Sequence, residues 1–171
     1  MRSSAFAPTA EGEARLLLLI DAFSKNDGHL QGRVKLAKLD FLLRYRRFFV
    51  RAMAARGRDV SVDEETEPAI EQRMVRYRYG PWDPAYYGLL GSLIGRGLVT
   101  PVPQTRYIGL RVTEAGHEAA AAITATPAWK ETAETAAMLR TVFGAHTGTW
   151  LKDFIYKQFP EVTGGEWGRE L

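Results

Sequence analysis

With 171 residues, 46% of them hydrophobic, the chain has material for one core with appendages rather than for two full domains. The absence of cysteine excludes disulfide frameworks and thiolate chemistry, and the apolar run Leu16–Ile20 falls far short of the ~20 residues that span a bilayer. The net charge of +3 is unevenly spread: Gln31–Val60 holds nine bases against Asp40 and Asp59, and Asp63, Glu64, Glu65, Glu67 and Glu71 follow with no base among them.

Residues 1–10 are small and polar, with no apolar run like a signal peptide, and are expected to be disordered. The chain reads as soluble and cytoplasmic. Glu11–Lys25 reads as a helix with Leu16, Leu19, Ile20 and Phe23 on one stripe, closed by the Asn26-Asp27-Gly28 turn. A second helix is expected from Gly32, turning Val34, Leu36, Leu39, Leu42 and Leu43 inward and running, bent or unbroken, to Gly57. An acidic loop, Arg58–Pro68, comes next, and alternation in Met74–Gly80 predicts an extended segment.

Gly80-Pro81-Trp82-Asp83-Pro84 reads as a turn launching a helix, with Asp83 as N-cap, Pro84 in the first turn and Gly97 as stop. Leu98–Pro103 and Tyr107–Val112 form a hairpin around Gln104-Thr105-Arg106, and Thr113 caps a further helix. Two more helices are predicted, over Pro127–Phe143 and Gly148–Phe159, with Pro160 ending the second. The expected fold class is mainly α with a small β-hairpin: a winged-helix-like domain over 11–125, its wing at about 98–112, a helical extension over 126–162 and a tail over 163–171.

No constellation for catalysis, metal or cofactor emerges. His29, His117 and His146 lie in different predicted elements and none has a metal-ligand spacing; Walker, GxGxxG and nucleophile-elbow patterns are missing. Glu64, Glu65 and Glu67 read as a solvated acidic loop rather than a metal cluster. The chain is therefore not expected to be an enzyme.

Binding is the remaining class. The helix before the hairpin, PAYYGLLGSLIGRG, has one charge, Arg96, at its far end, and so lacks the polar side chains that read base edges in the major groove. Gly88, Gly91 and Gly95 lower its helix propensity by about 1 kcal/mol each. That is explained by close packing within the domain or by close approach of a partner. Trp82, Tyr86 and Tyr87 are the expected partner anchors. Arg44, Arg47 and Arg51, spaced to share one helix face, are the expected charge contacts, joined in a DNA-binding reading by Arg106 and Arg111 of the wing. The same arginines are alternatively predicted to pair with the acidic loop.

Three stretches carry a family resemblance. They are GHLQGRVKLAKLDFLLRY (Gly28–Tyr45), with its K-L-x-K-L-x-x-L pattern; YRYGPWDP followed by LLGSLIGRGLV; and TGTWLKDFIYKQFPEV (Thr147–Val162). Over Leu16–Val162 the chain resembles the middle component of three-component ABC-ATPase systems, the Lamassu-type phage-defence operons, and is more distantly similar to Panacea-type antitoxins. The closer resemblance implies a non-enzymatic accessory subunit that binds an SMC-like ATPase and links it to an effector. DNA contact would then belong to the assembled complex, and no catalytic residues are implied. It gives Lys35, Leu36, Lys38 and Leu39 a role in helix packing, and Gly80, Pro81 and Trp82 a role in setting the wing helix. The alternatives are a winged-helix transcriptional regulator and an antitoxin neutralising a neighbouring toxin.

Overall fold

A computed structural model describes residues 8–61, 74–77, 80–164 and 171. The acidic residues Asp63 to Glu71, and the acidic-loop pairing expected of them, lie outside the described residues.

The chain is mainly helical, with two small antiparallel hairpins among the described residues. Helix α1 spans Ala10–Phe23 and starts on Thr9, whose hydroxyl accepts from the Gly12 amide. Its run Leu16–Ile20 is buried on every side, Leu17 and Leu18 included, so the apolar stripe read from the sequence is too narrow. A helix apolar all round must be enclosed: α5 (Glu114–Thr124) and α6 (Lys130–Phe143) cover it on one side, α4 (Tyr86–Gly95) and the second hairpin on the other.

Helix α2 (Gly32–Arg44) breaks at Tyr45, and α3 (Arg46–Ala55) restarts beyond it. The break seats the Tyr45 ring in the core, where its hydroxyl accepts from the Met74 amide at 3.0 Å. Phe41, Tyr45, Phe48 and Phe159 then pack as one aromatic cluster, with the Phe48 and Phe159 rings 5.1 Å apart.

Strands β1 (Val75–Tyr77) and β2 (Gly80–Trp82) pair antiparallel, and β2 leads through Asp83 into α4. Helix α4 ends in a Schellman arrangement: Gly97 adopts φ +72° and the Leu98 amide returns to the Leu93 carbonyl at 3.0 Å. Strands β3 (Val99–Pro103) and β4 (Ile108–Val112) form the expected hairpin, Val99 opposite Val112. Leu30 exchanges two backbone hydrogen bonds with Leu110, placing a third chain segment beside that hairpin.

Thr113 caps α5 through the Gly116 amide, as anticipated. Helix α7 (Gly148–Gln158) lies on α2, and Pro160, expected as a terminator, also opens a one-turn helix α8 (Pro160–Thr163). Leu139 and Phe143 of α6 and Leu151 and Ile155 of α7 are fully buried. The C-terminal helices therefore share the core with α1 and α2. No helix of the described residues is long and apolar enough to cross a membrane.

Candidate functional site

The expected anchors divide at the start of α4. Tyr87 is 63% exposed, while Tyr86 is 1% exposed. Tyr86 is thus not a surface anchor: one helix position turns its ring inward, and its hydroxyl donates to Asp40 Oδ2 at 2.7 Å. Trp82 is half-buried between the two, edge-on to Tyr86 at 5.0 Å and 6.1 Å from the Tyr87 ring. The Arg33 guanidinium sits 5.0 Å over the outer face of Tyr87.

Beneath them lies a buried ionic network. Arg15 Nε donates to Asp40 Oδ1 at 2.8 Å, and Arg44 Nε to Asp40 Oδ2 at 2.9 Å. Arg44 also reaches Asp83 Oδ2 at 2.6 Å, while Asp83 Oδ1 accepts from the Ala85 amide. Two guanidinium and two carboxylate groups give zero formal charge, which satisfies the requirement that buried charges be paired. Burial by itself would raise the Asp40 carboxyl; the Arg15 and Arg44 charges and the Tyr86 hydroxyl outweigh it and hold Asp40 at about 2. Burial, and then the Asp40 charge, push the Tyr86 phenol well above its ordinary value. Arg44 is therefore not a surface contact, as the sequence reading had it. The break at Tyr45 also removes the common helix face assigned to Arg44, Arg47 and Arg51.

The other arginines are largely engaged within the chain. Arg51 pairs with Glu161 and lies 4.8 Å over the Phe159 ring. Arg47 is exposed and stacks over Phe48 at 4.7 Å. Arg111 donates to the carbonyls of Gly28 and Asp27 at 2.8 and 2.7 Å. It so holds the turn in which Asn26 and Asp27 both take left-handed backbone angles. Arg96 pairs with Glu13 at 2.7 Å. Arg106 is exposed at the tip of the hairpin.

Two of the three glycines of α4 have open space over them: a Cβ on Gly91 or Gly95 would meet nothing within 4 Å. Only Gly88 has a close neighbour, Pro8. Packing within the domain thus accounts for Gly88 and not for the other two. The exposed face of α4 is uncharged apart from Arg96, and Arg33 in the first turn of α2 reaches it at Tyr87. Val34 (40% exposed) and Ile108 (61%) are further exposed apolar side chains. No carboxylate occurs in Tyr86–Thr113 or in Gly28–Leu39. Val34, expected to turn inward with Leu36 and Leu39, is thus exposed instead, and Arg33, which the sequence shows only as one of nine bases, reaches the Tyr87 ring.

Among the described residues no three His, Asp or Glu side chains gather as metal ligands. His117 instead pairs with Asp21, and His146 stacks on Trp150 at 3.7 Å. Comparison with protein-family models, with curated proteins and with solved structures finds no match to this chain.

Proposed function

We propose that this chain is a non-enzymatic adaptor subunit that docks onto a protein partner through the surface at the start of α4. The observation that carries the reading is Tyr87: a large aromatic ring, mostly exposed, flanked by half-buried Trp82 and by Arg33 on an uncharged helix face. Aromatic and arginine side chains of this kind supply most of the affinity at protein interfaces. Burying such a face would release apolar surface from water, whereas leaving it exposed gives the isolated chain nothing.

The order of elements supports a winged-helix-like arrangement: α1, the Leu30 bridge, α2, then α4 and the β3–β4 hairpin, with α3 and the β1–β2 hairpin inserted. In that frame α4 stands where a recognition helix would, yet its one arginine is tied to Glu13. Arg44, Arg51 and Arg111 are likewise engaged inside the chain. This favours protein over base edges as the ligand. The resemblance to the middle component of Lamassu-type systems supplies the identity of the partner: a cytoplasmic SMC-like ABC ATPase, coupled through this subunit to an effector in anti-phage defence.

A second reading, a winged-helix DNA regulator, draws on one observation. The segments that form α2's first turn, α4 and the hairpin contain no Asp or Glu and carry Arg33 and Arg106. Phosphate contact would make duplex binding fall steeply with salt. The test is co-purification from the native operon, with mass identification, of wild type and Tyr87→Ala, alongside a salt titration of duplex binding by the isolated chain. Capture of an ATPase by wild type and its loss in the variant supports the adaptor. Tight, sequence-selective duplex binding by the chain alone overturns it, and a captured toxin would favour the antitoxin role.

A further inference from the structure

The K-L-x-K pattern of α2 puts two lysines, Lys35 and Lys38, into the interior, 0% and 2% exposed. Their situations differ. Lys35 Nζ donates to the carbonyls of Gly144 and His146 at 3.1 and 2.6 Å and contacts Gln31 Oε1 at 3.3 Å. It thereby closes the carbonyl end of α6, where a positive charge is favoured. Packing alone, the role expected of it, does not describe it.

Lys38 has no such acceptors. Among the described residues its amine makes no hydrogen bond and no ion pair. It lies against β2 and α7: a Cβ built on Gly80 would sit 3.2 Å from Lys38 Nζ and 3.3 Å from the Tyr156 ring. Gly80 is the residue that leaves this space, and its φ of +97° suits glycine. Among the described residues the titratable groups facing the amine are Lys152 and Tyr156 of α7, with Lys35 one turn back on α2. Lys152 is a second cation, so a proton on Lys38 meets repulsion as well as desolvation. Among the described residues no counter-charge faces this buried amine, so an ammonium here is desolvated and unpaired, whereas a neutral amine behaves as a long apolar side chain.

We propose that Lys38 is a proton-operated latch: neutral, it lets β2 and α7 close on α2; charged, it loosens them. The latch does not depend on the docking reading, although the two share β2, whose last residue is Trp82. Burial, reinforced by Lys152, brings the Lys38 amine down from 10.5 to about 7. Between these values the unfolded chain holds a proton that the folded chain does not, so folding stability contributed by this group rises with pH across the window and is at its lowest at pH 7 and below.

The test uses the full chain and Lys38→Met, a non-titrating side chain of similar length. Amide hydrogen exchange, corrected for the intrinsic pH dependence, is followed from pH 6.5 to pH 9. In wild type, protection in β2 and α7 is expected to rise by up to about tenfold per pH unit, ahead of the amides of α5. In Lys38→Met the part of that rise below pH 8 should be missing, with β2 and α7 already protected at the lower pH; Lys35, which burial brings down to about 8, contributes only above it. An unchanged rise in the variant overturns the latch, as does a rise spread evenly over α5 and the β3–β4 hairpin. A direct NMR titration of the Lys38 side chain serves if the variant does not fold. A midpoint near neutrality supports the proposal, and one near 10.5 overturns it.

Discussion

Arg44 and Asp83 meet at 2.6 Å in the interior, and that contact ties the end of α2 to the turn from which α4 starts. The same guanidinium holds Asp40, so its removal leaves two buried carboxylates short of a partner. Arg44→Ala should destabilise the fold by about 3–5 kcal/mol, the range for breaking a buried pair from one side. Arg44→Lys should recover only part of this, because an ammonium cannot address two carboxylates with a planar fork. Urea denaturation at neutral pH measures both; an Arg44→Ala variant within ~1 kcal/mol of wild type would mean the network contributes no more than a surface pair.

Asp40 adds an acid-side dependence. Its carboxyl is held at about 2 against an ordinary 3.8, so the folded chain releases its proton more readily than the unfolded chain. The stabilisation is present above the ordinary value and is lost as pH falls through the folded one. A shift of this size is worth on the order of 2–3 kcal/mol. Wild type should therefore lose stability between pH 4 and pH 2 more steeply than Asp40→Asn, which should be weaker at neutral pH but flatter in acid. Equal slopes in a denaturation series across that window would remove Asp40 from the account.

Much of this fold is legible in the sequence because its cues are local. Thr113, Gly97 and the hairpin around Gln104-Thr105-Arg106 announce themselves by chemistry within four residues, and the elements they mark fall within a residue or two of their expected places. The Gly80–Pro84 stretch does not, since Gly80–Trp82 forms β2 and α4 starts at Tyr86 after Ala85 rather than from Asp83 as N-cap. What stayed hidden depends on distant neighbours. The enclosure of Leu17 and Leu18 comes from α5 and α6, and the break at Tyr45 comes from a hydroxyl that finds Met74 far along the chain. The same holds for the site. Helix phase put Tyr86 and Tyr87 on one footing, and only Asp40, brought over from α2, separates the buried ring from the exposed one. The arginines read as a stripe because charge along a helix is visible, whereas two of the acids that neutralise them, Asp83 and Glu161, are remote in sequence, and only Asp40, four residues before Arg44, is local.

His117 and Asp21 offer a titration in the opposite sense to that of Asp40. Their side chains meet at 2.7 Å on the surface, and the hydrogen bond and charge of Asp21 raise the imidazole above 6.5. A raised value means that the pair's contribution is complete below the unfolded value and fades as pH climbs through the folded one. An NMR titration of His117 should give a midpoint above that of a model imidazole, and Asp21→Asn should bring it down. A midpoint indifferent to Asp21 would show that the two groups do not interact in solution.

The glycines give a test that separates stability from docking. A Cβ on Gly116 would lie 1.9 Å from the Leu98 carbonyl oxygen, a backbone atom that cannot swing aside. Gly116→Ala should destabilise by about 1–3 kcal/mol or more through overpacking. A Cβ on Gly91, in the middle of an exposed helix, would meet nothing within 4 Å. There alanine should raise stability by about 0.5–1 kcal/mol, because it restricts the unfolded chain and favours the helix. The sequence forgoes that gain. If a partner's backbone approaches α4 at this position, Gly91→Ala will be the more stable protein and the poorer binder, with Tyr87→Ala weakening capture and leaving stability nearly unchanged. A Gly91→Ala variant that gains stability and keeps full capture of its partner would place the docking surface away from the glycine face of α4.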